Sequence, residues 1–85
     1  MKLQEIINGI NILETKGNCD LEISNIHIDS RKVEENHLFV AVKGTQTDGH
    51  AYISKAIEKG AKAIVCETFP EDITDDITYI KVANT

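Results

Sequence analysis

No apolar run in this 85-residue chain approaches the ~20 residues that cross a bilayer. The opening residues, Met1-Lys2-Leu3-Gln4-Glu5, lack the apolar segment of a signal peptide, so a cytoplasmic location is the default expectation. Basic clusters are missing as well. The nine Lys and Arg residues are scattered through a chain of net charge −5, which leaves no basic face for duplex nucleic acid. Cysteine is scarce: Cys19 and Cys66 stand far apart with no C-x-x-C, as suits a reducing compartment. Cys66 is expected as a small core residue on a strand and Cys19 as a loop residue. His27, His37 and His50 have no metal-ligand spacing and no companion set of cysteines or carboxylates, so no metal site is expected.

Phosphate-binding and nucleophilic signatures are lacking too. Lys43-Gly44-Thr45 places its lysine ahead of the glycine, whereas a P-loop needs G-x-x-x-x-G-K-[ST] so that backbone N–H groups wrap a phosphate. No G-x-G-x-x-G occurs, which removes support for a dinucleotide site. Nothing pairs a Ser or Cys nucleophile with a base at a strained turn, and no catalytic residue is expected.

What is present has the balance of one small globular domain, with 41% hydrophobic and 27% charged residues. A chain this short buries about 60–65% of its unfolded surface, enough to fold alone without much margin. Leu3, Ile6, Ile7 and Ile10 recur at helical spacing and predict a short helix over 3–8, closed by Gly9 in a left-handed cap. Ile12 and Leu13 suggest a strand ending near Gly17-Asn18, and Ile26 and Ile28 flank His27 in a strand that runs into Asp29. The continuous run Leu38–Val42 predicts a strand over 37–42 covered on both faces. Asp48 is a plausible N-cap for a helix over 50–59 with Tyr52, Ile53, Ala56 and Ile57 on one face, ended by Gly60. Ala63–Cys66 forms a further buried strand. Strand, helix and strand make a βαβ unit, hence two parallel strands with a right-handed crossover. Pro70 opens an acidic loop (Glu71, Asp72, Asp75, Asp76), expected to be solvated, and Thr78–Val82 is a last strand. The fold class is α/β, a small mixed sheet containing the βαβ unit. Because the chain stops on a strand, continuation into further domains is expected.

The chemistry concentrates between the buried strand and the helix, in Lys43-Gly44-Thr45-Gln46-Thr47-Asp48-Gly49-His50. Thr45, Gln46 and Thr47 each donate and accept hydrogen bonds, which suits a nucleobase edge or a sugar. Such side chains are also ordinary loop and capping groups, and both readings stand at this level. A helix start beside strand ends is where small polar ligands collect in α/β sheets. Asp29-Ser30-Arg31 leaves its strand as the sheet ends. Ser30 can bond a phosphate or sugar. Arg31, the only arginine, is expected in a cleft or buried, paired with a phosphate or a nearby carboxylate. His50 faces either the ligand loop or the packing around the helix.

Taken together, I28-D-S-R31, H37-L-F-V-A-V-K-G-T-Q-T-D-G-H50, Y52-I and A56-I-E-K-G-A-K-A-I-V-C-E67 resemble the N-terminal domain of the Mur ligases, and among its types the MurE type. The family often has Pro-Gly before L-F-V-A, where this chain has Glu35-Asn36-His37; Asn36 still tolerates a left-handed turn. The family also often has histidine at the position of Thr45. The resemblance implies a single domain over 1–85 that holds the UDP portion of a UDP-MurNAc-peptide. It places Ile28 and Ser30 near the uridine and pyrophosphate and Thr45, Gln46 and Thr47 at the uracil and diphosphate, with Asp29, Arg31, Asp48 and His50 in support. The whole enzyme so implied is an ATP- and Mg2+-dependent amide ligase of bacterial peptidoglycan precursor synthesis that adds a diamino acid to UDP-MurNAc-L-Ala-D-Glu. Its ATPase and C-terminal domains lie outside this chain, which alone is not expected to be catalytic. Two alternatives are the MurF type, which adds D-Ala-D-Ala, and a non-catalytic interaction domain.

Overall fold

The structure, a computed structural model, describes residues 2–42, 49–70, 73 and 76–83. Its elements in chain order are α1 (Leu3–Ile7), β1 (Ile12–Lys16), β2 (Asn25–His27), β3 (His37–Val40), α2 (Ile53–Glu58), β4 (Ala63–Cys66) and β5 (Thr78–Val82). Two 3-10 turns, Ser30–Lys32 and Gly49–Tyr52, follow β2 and precede α2. The five strands form one mixed sheet in the order β1-β5-β4-β3-β2, with β2 to β5 parallel and β1 antiparallel to β5. The expected α/β class and the parallel pairing of β3 with β4 are both present.

Period-two alternation divides the core between the two faces of the sheet. Phe39, Ala41, Ile64, Cys66, Ile77 and Tyr79 pack with Val33 and with Ile53 and Ala56 of α2. Leu38, Ala63, Val65, Ile80 and Val82 pack on the other face with Leu3 and Ile7 of α1 and with Ile23. This two-sided covering is why β3, β4 and β5 are buried almost throughout. Cys66 lies fully inside the first cluster, where burial pushes its thiol up to about 11. Half-buried Cys19 packs against the second. Half-buried Phe69 packs against the first cluster, with the Lys16 and Lys81 ammonium groups 5.3 and 5.8 Å from its ring centre.

Several boundaries differ from the sequence expectation. Gly9 does not adopt a left-handed conformation; α1 ends on Asn8 with φ −62°, and a side chain at Gly9 would meet open space. β2 stops at His27, so Ile28 is outside the strand. β3 stops at Val40, although Ala41 N still donates to Val65 O at 2.8 Å. α2 begins at Ile53, because the four residues before it wind as a 3-10 turn. Asp48 lies outside the described residues. Tyr52 is therefore not on the core face of a helix but 41% exposed. Gly60 does end α2 as expected. Its φ is +113°, with Gly60 N donating to Ile57 O and Ala61 N to Ala56 O, the two bonds of a Schellman cap. Asn36, at φ 64°, is the left-handed position before β3, and its N donates to Gly60 O.

Candidate functional site

Register places the carboxyl ends of β2 and β3 side by side, with His27 opposite Phe39. The two chains then part. Residues after β2 make the tight turn Ser30–Lys32 rather than a full helix, and Val33 from this connection packs on the α2 face. Between that short connection and the turn leading into α2 lies an open concavity of about 510 Å³. Ile28, Asp29, Ser30 and Arg31 line one wall; Val42, Gly49 and Tyr52 line the other.

Each wall is fixed by specific bonds. Asp29 caps its 3-10 turn, with Oδ1 accepting from Arg31 N at 3.0 Å. Its carboxylate also accepts from Arg31 Nε at 3.1 Å and Nη2 at 3.0 Å, a bidentate pair. The guanidinium beside Asp29 holds its carboxyl at about 2, helped by the Arg31 backbone N–H. Lys59 Nζ donates to Arg31 O at 3.2 Å, which joins this wall to the end of α2. Ser30 is buried at the junction of turn and sheet. On the opposite wall, Gly49 N donates to Val42 O at 2.8 Å. A side-chain carbon on Gly49 would lie 2.7 Å from Val42 N, so glycine permits this close approach.

Of the expected site residues, Ile28, Asp29, Ser30 and Arg31 come together on one wall. Arg31 lines the concavity but is not buried: its side chain is 86% exposed. Thr45, Gln46, Thr47 and Asp48 lie outside the described residues; the positions that flank them, Val42 and Gly49, are part of the opposite wall. His50 sits behind that wall, its Nε2 accepting from Glu67 N at 2.8 Å and Thr68 N at 3.4 Å. His37 has another task. It is buried, and its Nδ1 accepts from Glu34 N at 3.0 Å in the turn before β3. Among the described residues, no group of three or more His, Cys, Asp or Glu side chains is placed to hold a metal ion.

Sequence reasoning missed Val42, Gly49 and Tyr52 as lining residues. The available signal was Gly49, between Asp48 and His50 just ahead of the helical pattern, where the lack of a side chain lets the backbone approach a neighbour closely. Ile28, Val42 and Tyr52 are three of the seven large apolar side chains left exposed among the described residues. Their convergence gives the concavity an apolar lining next to the Asp29–Arg31 charges, the mixture typical of small-molecule sites.

Comparison with known proteins gives this geometry a setting. A family model described as "Mur ligase family, catalytic domain" matches residues 22–84, about three-quarters of the chain. Three relatives are named UDP-N-acetylmuramoyl-L-alanyl-D-glutamate–2,6-diaminopimelate ligase. The protein from Phocaeicola vulgatus is 59% identical over all of this chain and 18% of its own length. Those from Bacteroides fragilis and Clostridioides difficile are 55% and 46% identical, over 99% and 100% of this chain and 17% of each relative. The chain thus spans less than a fifth of the relatives it matches. Among solved structures, MurF from Acinetobacter baumannii superposes with a TM-score of 0.71 at 26% identity, covering 99% of this chain and 17% of that one. MurF ligase from Thermotoga maritima in complex with ADP superposes at 0.57 with 40% identity over 62% of this chain and 12% of that one. With a family match across most of its length and a fold shared with these enzymes, the chain belongs to the Mur ligase family.

Proposed function

We propose that this chain is the N-terminal domain of an ATP-dependent ligase and binds the UDP portion of UDP-MurNAc-L-Ala-D-Glu, to which the whole enzyme adds 2,6-diaminopimelate. The observation that carries the reading is the concavity at the exits of β2 and β3. A uracil ring has apolar faces and a hydrogen-bonding edge, and a diphosphate needs donors. Ile28, Val42 and Tyr52 supply apolar surface, while Ser30 and Arg31 supply donors. Thr45, Gln46 and Thr47 belong to the segment that leaves Val42 and returns at Gly49, which suits contact with the uracil edge and the diphosphate.

This domain binds and orients; it does not activate. The chain has no P-loop, so the ATP and magnesium chemistry of the ligase falls to the other domains. Burial of the nucleotide here anchors one end of a long substrate so that its glutamyl carboxylate is presented elsewhere with less orientational freedom. The diaminopimelate-adding type is favoured over MurF because relatives of that name match the whole chain at 46–59% identity, against 26% for the whole-chain MurF likeness. A cytoplasmic location goes with such a substrate and cofactor. Within the described residues, no helix is long and apolar enough to cross a membrane.

Titration of the labelled chain with UDP and with UDP-MurNAc, followed by amide NMR, tests the reading. The signals of Ile28, Ser30, Gly49 and Tyr52 and of residues 45–47 should move together. Weak affinity is expected, since the remaining domains would add contacts. Spectra unchanged at millimolar ligand would overturn the proposal. Turnover by the full-length enzyme with diaminopimelate, as against D-Ala-D-Ala, decides the type.

A further inference from the structure

The Gly49–Tyr52 wall buries none of its own side chains, so packing of these residues does not hold it in place. At its front, Gly49 is bonded to Val42; at its rear, α2 begins with buried Ile53. Between these points the fixing is polar. His50 Nε2 reaches across to the exit of β4 and accepts from two consecutive amides, those of Glu67 and Thr68. An accepting Nε2 carries its lone pair there, so the ring that makes this latch has its proton on Nδ1.

β4 gains little from the arrangement. It is already paired on both edges, with β3 and β5, and Glu67 and Thr68 lie beyond its last residue, Cys66. The element the latch constrains is the turn that carries Gly49 and Tyr52. The facing wall is held by the Asp29–Arg31 pair and, through Lys59 Nζ to Arg31 O, by the far end of α2, rather than by the exit of β4. The spacing between the walls therefore depends on where His50 anchors the second one.

We propose that His50 is a positioning residue: by tying the Gly49–Tyr52 turn to the exit of β4, it sets the width of the concavity and hence its affinity for a uridine diphosphate. The proposal rests on the reading of the concavity given above and assigns His50 no contact with the ligand.

Three variants of this chain test it, each titrated with UDP and followed by amide NMR. In His50→Gln, Oε1 reaches the place of Nε2 and restores an acceptor. In His50→Asn the oxygen is too short to reach, and in His50→Leu there is none. Without ligand, His50→Asn and His50→Leu should shift the Gly49 and Tyr52 amides and speed hydrogen exchange at Glu67 and Thr68. Their UDP affinity should fall about tenfold, the scale of a small misplacement of a binding wall. His50→Gln should stay within about twofold of wild type. If His50→Leu fails to fold, the Gln and Asn pair carries the comparison. Equal UDP affinity in all variants would overturn the positioning role while leaving the UDP reading intact, as would a Gln variant no better than Asn. A wild-type chain that fails to bind UDP removes the reading of the concavity, and this role with it.

Discussion

Asp29 and Arg31 show how much one residue pair in this fold can do without burial. The carboxylate caps a 3-10 turn and grips a guanidinium two residues later; the Arg31 side chain is largely exposed and that of Asp29 partly so. Exposed ion pairs contribute little to stability, so their effect is on orientation and on protonation. The Asp29 carboxyl is lowered from 3.8 to about 2, first by the Arg31 side chain and then by its backbone N–H. A depressed folded-state value means that the associated stabilisation is fully present above pH 3.8. It is lost as pH falls from there through about 2. Arg31→Ala should move the Asp29 midpoint back toward 3.8, as read by carboxyl carbon NMR, and flatten that acid limb. A midpoint that stays near 2 would show that the guanidinium is not the cause. The sequence marked Asp-Ser-Arg but left the partner of Arg31 open between phosphate and carboxylate. An i,i+2 pair inside a 3-10 turn depends on backbone dihedrals that composition does not reveal.

At the scale of elements, α2 was legible at its end and not at its start. Gly60 sits where the apolar periodicity stops, and its left-handed conformation completes a Schellman cap. A side-chain carbon there would lie 2.7 Å from the Cα of Glu35, in addition to the strain of φ +113°. Gly60→Ala should accordingly cost about 2 kcal/mol or more in urea denaturation, because neither the backbone angle nor the neighbour can yield cheaply. A loss below about 0.5 kcal/mol would mean that the helix end relaxes. The start was misplaced because Tyr52, Ile53, Ala56 and Ile57 share a helical face on paper. The backbone of Gly49 is pressed against Val42, and the chain turns tightly before it can enter the α-helix. That departure exposes Tyr52 to the concavity, so the error in periodicity and the omission of a lining residue have one cause.

For the whole molecule, the parallel core was readable and the order of its strands was not. Continuous apolar runs announced β3 and β4, and alternation with branched residues announced β5; the residues of all three are almost all buried. Nothing in local periodicity says that β1 lies beside β5, or that β2 takes the far edge. Hydrogen exchange should follow this arrangement: amides of β4 and of the inner parts of β3 and β5 exchange slowest, those of β1 and β2 faster. Comparable protection at the edges would contradict the strand order. The β1 edge is interrupted between Ile12 and Glu14, where exposed Leu13 is the extra residue of a bulge, a device that blunts an edge against pairing with other chains.

The pairing of β1 with β5 joins Ile12 to Val82, 70 residues later. During synthesis, then, the earliest strand to emerge has to wait for the last. Until Val82 has left the ribosome, β1 has no neighbour to receive its backbone groups, and the nascent sheet can hold only its parallel strands. Such a long closure delays completion of the fold relative to its local contacts. A nascent chain stalled before Thr78 would present the half-made sheet with β5 missing and β4 open along one side, a natural target for a chaperone.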